Sequence, residues 1–198
     1  MPRRKPVPDP YAFPFRADRA VDSLVVSDHP ALHAPAAEVG ELGEVADARL
    51  GRLIDRMIAV CAAAPGVGIA APQVGVGLRV AVVWPPGADD GRDPDAPVSR
   101  PAPIELVDPV IVEEGEEVAW EAEACLSLPC IRGLRVHRPD RIVVRGADRS
   151  GRVRTFEATG FVAEIFSHEL DHLDGHLYPE RAEELVYDAD FRPHDRDA

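Results

Sequence analysis

The sequence is short of cysteine and aromatic residues, and it has no long apolar run. Its 198 residues include three cysteines, and aromatic side chains make up 6% of the chain. A small, odd number of cysteines argues against a disulfide framework and is typical of a reducing compartment. No apolar run approaches the roughly 20 residues that a membrane-spanning helix needs. The sequence therefore predicts a globular protein without a membrane partner.

Positive charge is also scarce. The 22 lysines and arginines are outnumbered by 35 aspartates and glutamates, which gives a net charge of -13. This balance argues against a surface that binds nucleic acid, and self-repulsion favours a monomer over an oligomer. The first ten residues, M-P-R-R-K-P-V-P-D-P, carry charge but lack the apolar stretch of a signal peptide. We therefore expect a cytoplasmic protein.

Apolar residues are plentiful enough for one folded domain. They make up 45% of the chain, and 198 residues suit a single core. Residues 1–22 hold five of the twenty prolines and show little periodicity, which indicates a poorly ordered extension; a transit-type peptide is the alternative. Residues 187–198 are predicted to be an acidic C-terminal tail. The folded domain is therefore expected over residues 23–186.

Apolar periodicity predicts two amphipathic helices. The first runs from about Val45 to Ala64 and ends at Pro65-Gly66, with Cys61 facing the core. The second is capped by Thr159 and ends at Gly175. The buried positions of the first are Leu50, Leu53, Ile54, Met57, Ile58 and Cys61, and those of the second are Val162, Ala163, Ile165, Phe166, Leu170 and Leu173.

Strands are predicted between these helices. One runs from Leu78 to Trp84, and a proline-rich surface loop follows over residues 85–103. Further strands are expected at about 104–108 and 110–120, with the acidic residues after 112 marking an exposed hairpin turn. Period-two alternation predicts a second hairpin with arms at 141–146 and 152–157. The fold class is thus α+β, with antiparallel strands packed around a C-terminal helix.

That C-terminal helix carries the chemistry, in the stretch S-H-E-L-D-H-L-D-G. His168 and His172 are four residues apart, so they project from one face of the helix, one turn above the other. Two imidazoles at this spacing can grip one divalent metal ion, and Glu169 beside them can transfer protons. Surface histidines at this spacing are often only solvated, but the apolar neighbourhood here favours a metal site.

A glycine-containing segment, G-V-G-I-A-A-P-Q-V-G, occupies residues 66–75. It lacks the Lys-Ser/Thr of a phosphate-binding loop and the spacing of a dinucleotide fold, and a helix precedes it. Small residues here let the backbone approach a ligand or another strand closely. Gln73 is the polar side chain of this apolar stretch, and it either serves the site or satisfies a loop carbonyl.

The two histidines need a third ligand, because catalytic metal sites normally have three protein ligands and a position for water. Zinc peptidases with an extended H-E-x-x-H motif would have histidine at position 178, which is Tyr178 here. A peptidase with a more distant glutamate ligand could use only Glu180, Glu183 or Glu184. Cys125, upstream in the stretch W-E-A-E-A-C-L-S-L-P, is the other candidate, although an isolated cysteine is more often a buried apolar residue.

Three stretches in order, G-x-G-x-A-A-P-Q, E-A-C-L-S and H-E-L-D-H, resemble the three motifs of the peptide deformylase family, and the similarity extends over roughly residues 23–182. The family removes the N-formyl group from the initiator methionine of new proteins. The resemblance implies formylated nascent chains as substrate. It also implies one divalent metal ion, ferrous iron in vivo, with zinc, nickel or cobalt as alternatives.

The resemblance also assigns roles to residues. Cys125, His168 and His172 match the metal ligands, and Glu169 matches the catalytic carboxylate. The Gln73 amide and the Leu126 backbone N–H match the donors to the formyl oxygen. The substrate-binding positions implied by the resemblance, or expected beside them, are Val67, Gly68, Ala124, Arg132 and Ile165.

The chain departs from the family pattern at several positions. Ala124 stands where the family usually has glycine, which would cost on the order of 1 kcal/mol if the backbone there has positive φ. Ser167 replaces a usual glutamine. Glu121 and Glu164 bring carboxylates near the expected methionine pocket, and Cys130 is a further thiol that could be an alternative ligand, an oxidation partner or a bystander. The metal ligands are intact.

Two other functions remain open from the sequence. The first is a zinc peptidase, which would cleave internal amide bonds. The second is a specialised deformylase copy with altered substrate or inhibitor binding; a copy that binds peptides or inhibitors without turning them over would be marked by loss of Glu169 or of a ligand. Neither is lost.

Overall fold

The structure is a computed structural model that describes residues 17–40, 44–64, 66–87 and 101–187. The predicted tail from 188 onward, most of the predicted 85–103 loop, and residues 1–16 of the predicted extension lie outside these residues. Residues Ala17–Ser23 form a 3-10 helix in which Ala20 is buried. The predicted domain start at residue 23 therefore falls at the end of this segment.

Both predicted helices are present. Helix α1 is Glu44–Ala63, with Met57 and Cys61 fully buried. Helix α2 is Phe161–Asp174 and ends at Gly175, whose φ of 81° is left-handed, as the predicted C-cap requires. The predicted N-cap was wrong: Gly160 precedes the helix without a side-chain cap, because Thr159 is still the last residue of a strand.

In the described part of the chain, eight strands form two antiparallel sheets. The strands are β1 Gly68–Ala70, β2 Val80–Val83, β3 Ile104–Glu114, β4 Glu117–Glu123, β5 Ile131–Pro139, β6 Arg141–Ala147, β7 Val153–Thr159 and β8 Ala182–Tyr187. The larger sheet has the order β1-β2-β3-β6-β7, and the smaller one has the order β4-β5-β8. The α+β class is confirmed.

The predicted hairpin of β6 and β7 is present, with Arg141 opposite Thr159. The hairpin predicted at the acidic residues was wrong, because β3 and β4 pair in different sheets. The break predicted at residue 109 was also wrong. Strand β3 continues through it as an irregularity at which Asp108 adopts a φ of 47° and accepts hydrogen bonds from the backbone N–H groups of Val39 and Gly40.

The larger sheet lies between the two helices. Alternate residues of its first strands enter two different apolar clusters: Ile69 packs in the cluster of α1, and Ala70 packs in the cluster of α2. Val82 and Val83 divide in the same way. This alternation follows from the period of a strand. It brings α2, with its histidines, across the face of β1 and β2.

Candidate metal centre and active site

Helix α2 presents two imidazoles to the interior. His168 and His172 are 9% and 1% exposed. Their Nε2 atoms lie 3.2 Å apart, because residues four apart stand one helical turn above each other on the same face. The two side chains therefore project from the same face of α2, as predicted.

Cys125 approaches the two histidines from the side of the smaller sheet. It lies in the turn between β4 and β5, and its Sγ is 3.3 Å from His172 Nε2. The three ligand atoms of Cys125, His168 and His172 all lie within 4.8 Å of one another, and within the described residues this is the one such group that could hold a metal ion.

The three donors suit a divalent metal. In a tetrahedral site with metal–ligand bonds of about 2.0–2.3 Å, ligand atoms are about 3.3–3.6 Å apart. The measured separations of 3.3 Å and 3.2 Å are close to this range. One thiolate with two imidazoles is a donor set that binds zinc, iron and related ions.

A buried carboxylate fixes the orientation of His168. The Nδ1 of His168 contacts Glu123, which leaves Nε2 to face the other donors. Glu123 in turn accepts hydrogen bonds of 2.6 Å and 2.7 Å from Arg138, a residue only 1% exposed. Arg138 also donates to Asp171 at 2.9 Å, and Asp171 receives two more from Arg181. The network ties α2 to the smaller sheet.

Burial and the charges of this network shift the pKa values of its members. Burial raises the pKa of Glu123, but His168 and Arg138 outweigh burial and lower it to about 2. Burial lowers the pKa of His168, yet the neighbouring Glu123 and Cys125 raise it well above its ordinary range. Burial and the adjacent His168 lower the pKa of His172 well below its ordinary range.

Gln73 lies beside the thiol. Its Oε1 accepts a hydrogen bond of 2.7 Å from the Ala70 N–H, which directs its amide nitrogen to within 3.5 Å of Cys125 Sγ. The backbone N–H of Ser127 donates to the same sulfur at 3.4 Å, which places Leu126 next to the cluster. The loop contact of Gln73 is therefore with a backbone N–H and not with the carbonyl that the alternative required, and the amide nitrogen faces Cys125.

Glu169 lies under β1. The residue is 3% exposed, and its Oε2 has no hydrogen-bond partner among the described residues. Burial raises the pKa of this carboxyl to about 7, against a lowering effect of His168. A carboxyl with a pKa near neutrality can both accept and donate a proton at physiological pH.

The other ligand candidates point elsewhere. Tyr178 stacks on the His168 ring at a centroid distance of 6.2 Å, but its hydroxyl donates to the Ile131 carbonyl. Glu180 contacts His176, and Glu183 contacts Arg135 and His137. None of these residues, nor Glu184, belongs to the cluster of donors found in the described residues.

The remaining predicted residues are not members of the donor cluster. Val67 and Ile165 pack in the apolar cluster of α2, and Arg132 lies on β5 opposite Val186. Ala124 is not among the described residues with positive φ, so the strain anticipated for it is absent. Cys130 has a φ of 68° and is half-buried, and it lies outside the donor cluster.

Three further residues depart from the family pattern: Glu121, Glu164 and Ser167. Glu121 is exposed, whereas Glu164 is 7% exposed and its pKa is raised to about 7, first by burial and then by Glu123. Ser167 donates a hydrogen bond to the Ala163 carbonyl one turn earlier in α2.

Sequence reasoning did not assign a role to the carboxylate network. The burial of Arg138 could have been predicted from the sequence. Arg138 follows Val136 by two residues, so both side chains lie on the inward face of β5. A charge at an inward strand position requires a buried partner. The identity of that partner, Glu123, depends on the tertiary packing, because the pairing of β4 with β5 places Arg138 opposite Val118 and Glu123 opposite Gly133.

Comparison with known proteins gives the family. The sequence profile of the polypeptide deformylases matches residues 21–187. The chain belongs to the peptide deformylase family. Its relatives include the peptide deformylase of Heliobacterium modesticaldum, 45% identical over 138 residues that cover 69% of this chain and 80% of that protein. The chloroplastic/mitochondrial peptide deformylase 1A of Arabidopsis thaliana is 39% identical over 170 residues, 80% of this chain and 60% of that protein.

Solved deformylase structures share the fold. The class I type b enzyme of Acinetobacter baumannii with bound Met-Ala-Ser has a TM-score of 0.67 and 34% identity, covering 80% of this chain and 96% of that one. The Synechococcus elongatus deformylase in complex with actinonin has a TM-score of 0.65 and 31% identity, covering 81% and 80%. This deformylase is therefore a hydrolase of the family that removes N-formyl groups from new polypeptides. No helix in the described part is long and apolar enough to span a membrane.

Proposed function

We propose that this deformylase acts on N-formyl-methionyl peptides through a metal ion held by Cys125, His168 and His172. The observation that carries the proposal is the convergence of these three buried donors, two from α2 and one from the β4–β5 turn, within 4.8 Å. When bound, the metal supplies Lewis acidity toward water and the formyl carbonyl. We propose ferrous iron as the native ion, with zinc, nickel and cobalt as functional substitutes.

Glu169 is the proton-transfer residue of the proposal. Its carboxyl takes a proton from the attacking water and delivers it to the leaving amine, which yields formate and a free N-terminus. Support comes from its burial and from the raised pKa of about 7, which suits a group that must both accept and donate.

Gln73 and Leu126 stabilise the charge that develops on the formyl oxygen. The Gln73 amide nitrogen faces the cluster because Ala70 holds the other end of the amide. The Leu126 backbone N–H is the second donor. Removing one donor of this kind costs about 2.7–4 kcal/mol of transition-state stabilisation.

The peptide lies along β1. This strand is at the end of the larger sheet and pairs only with β2 among the described strands, so its other edge can accept an added strand. Val67 and Gly68 lie at that edge, with Ile165 of α2 lining an apolar slot for methionine and Ala124 narrowing the groove. Arg132 contacts the peptide further along.

The proposal is tested by formate release. Protein purified without oxygen is analysed for metal and incubated with formyl-Met-Ala, and formate and the free amine are quantified. We expect one metal ion per chain and formate in equal amount to the free amine. Cleavage of the Met-Ala bond instead would favour the peptidase alternative. Absence of both products from metal-loaded protein would reject the proposed activity.

A further inference from the structure

Gly68 is the residue of β1 against which the Glu169 carboxylate packs. In this strand Ile69 points to the α1 cluster and Ala70 to the α2 cluster, so position 68 faces α2. A Cβ added to Gly68 would lie 2.4 Å from Glu169 Oε1 and 2.9 Å from its Cγ and Cδ. Contacting carbon atoms in proteins are about 3.5–4.0 Å apart. Any side chain at position 68 would therefore collide with this carboxylate.

The requirement for glycine here is steric. Gly68 is absent from the described glycines with positive φ, so its backbone conformation is open to alanine. The three atoms nearest to an added Cβ all belong to the flexible Glu169 side chain, not to backbone. An alanine methyl would displace the carboxylate and leave the strand in place.

We infer that Gly68 is a positioning residue for Glu169, a role distinct from pairing with the substrate backbone. The missing side chain leaves a slot against β1 in which the carboxylate is held beside the metal ligands. Packing is the constraint on this carboxylate, because its Oε2 has no hydrogen-bond partner among the described residues. The inference rests on the proposed function, in which Glu169 transfers protons.

A double-mutant cycle separates this role from substrate pairing. Gly68→Ala, Glu169→Ala and the double variant are compared by kcat and KM for formate release from formyl-Met-Ala, by metal content and by thermal unfolding. Gly77→Ala is the matched control, because a Cβ at Gly77 meets nothing within 4 Å. Glu169→Ala removes the carboxylate, so the double variant has room for the methyl group.

We expect Gly68→Ala to lower kcat about 100-fold, the size of effect that a displacement of about 1 Å produces. KM and metal content should stay near those of the parent and of Gly77→Ala. In the Glu169→Ala background, the same substitution should lower kcat no further. If Gly68→Ala unfolds the protein, the double variant should recover the unfolding temperature.

Four results would overturn the inference. Additive losses of kcat in the double variant, or a raised KM with unchanged kcat, would show that Gly68 acts through the substrate. An unfolded double variant would show that the collision is with the backbone. Full activity of Glu169→Ala alone would reject the proposed function as well, so the two failures are distinguishable.

Discussion

Among single residues, the partners of the proposed metal ligands hold those ligands in place. His168 contacts Glu123, which is bound by Arg138, and Tyr178 stacks on the other side of the ring. These partners fix which imidazole nitrogen faces the metal.

Glu169→Gln tests the proton-transfer role most directly. The amide fills the same space but cannot accept a proton, so we expect kcat to fall by about 10²–10⁴-fold. Metal content should not change, because Glu169 is not a ligand in the proposal. Formate-release kinetics with metal analysis measure both. Glu157→Gln, an exposed carboxylate on β7, is the control, and near-full activity of Glu169→Gln would contradict the role.

Arg138→Met should destabilise the protein strongly. The guanidinium is the partner of Glu123 and one partner of Asp171, and its side chain is 1% exposed. Removing one member of a buried ion pair leaves an uncompensated charge and costs about 3–5 kcal/mol in the free energy of unfolding, measured by urea denaturation.

Arg141→Met provides the comparison for Arg138. Arg141 also joins two carboxylates, Glu113 and Glu157, but its side chain is 30% exposed. Its loss should lower the free energy of unfolding far less than the loss of Arg138, because solvent screens surface pairs. Equal losses in the two variants would contradict the structural role given to the buried network.

At the scale of elements, an exposed histidine joins all three strands of the smaller sheet. His137 on β5 contacts Glu183 of β8 at 2.9 Å and Glu117 of β4 at 3.3 Å. The hydrogen bond to Glu183 is the main cause that raises the pKa of His137. Arg135 and then His137 lower the pKa of Glu183 to about 2.

The two shifts define a pH window for this contact. A raised histidine pKa stabilises fully below the ordinary value of 6.5, and the contribution is lost as pH rises through the folded-state pKa. A lowered carboxyl pKa stabilises above the ordinary value of 4.5, and the contribution is lost as pH falls toward 2. Both contributions are therefore present between 4.5 and 6.5.

His137→Gln should consequently destabilise the protein in a pH-dependent way. The loss in the free energy of unfolding relative to the parent should be largest at about pH 5.5 and should shrink toward about pH 8.5. Urea denaturation at a series of pH values measures it. His33→Gln is the control, because that ring contacts the Ser27 carbonyl. A loss independent of pH would show that His137 acts by packing alone.

At the scale of the whole molecule, the net charge of -13 sets the field that a substrate meets. Glu121 adds an exposed carboxylate on β4, on the same face as Glu123 because strand residues two apart share a face. Glu164 lies one turn before His168 on α2. Acidic peptides therefore approach against like charge.

Substrates with different second residues test this field. For formyl-Met-Ala, formyl-Met-Lys and formyl-Met-Asp at low salt, we expect kcat/KM to be lowest for the aspartate peptide, by about tenfold or less. Raising the ionic strength should narrow the difference, since the Debye length falls to about 10 Å at 0.1 M. Equal rates on all three peptides would show that Glu121 and Glu164 do not influence substrate choice.

Features that depend on near neighbours along the chain were predictable from the amino-acid sequence. Histidines four residues apart share a helix face, and a glycine after the last helical turn adopts the left-handed conformation that ends it. Both follow from local geometry, and both are present at His168, His172 and Gly175. The arms of the β6–β7 hairpin were predicted for the same reason, because a short turn fixes their pairing.

Features that depend on distant parts of the chain became visible once the packing of the helices and sheets was known. The acidic turn after β3 resembles a hairpin locally, but competition between sheets sends β3 to β6 and β4 to β5. With the strands divided between two sheets in this way, Cys125 lies next to the histidines and Glu123 contacts Arg138. The space that Glu169 occupies at Gly68 likewise exists only once α2 packs on β1. Such contacts depend on how whole helices and strands pack, and the spacing of residues along the chain does not predict that packing.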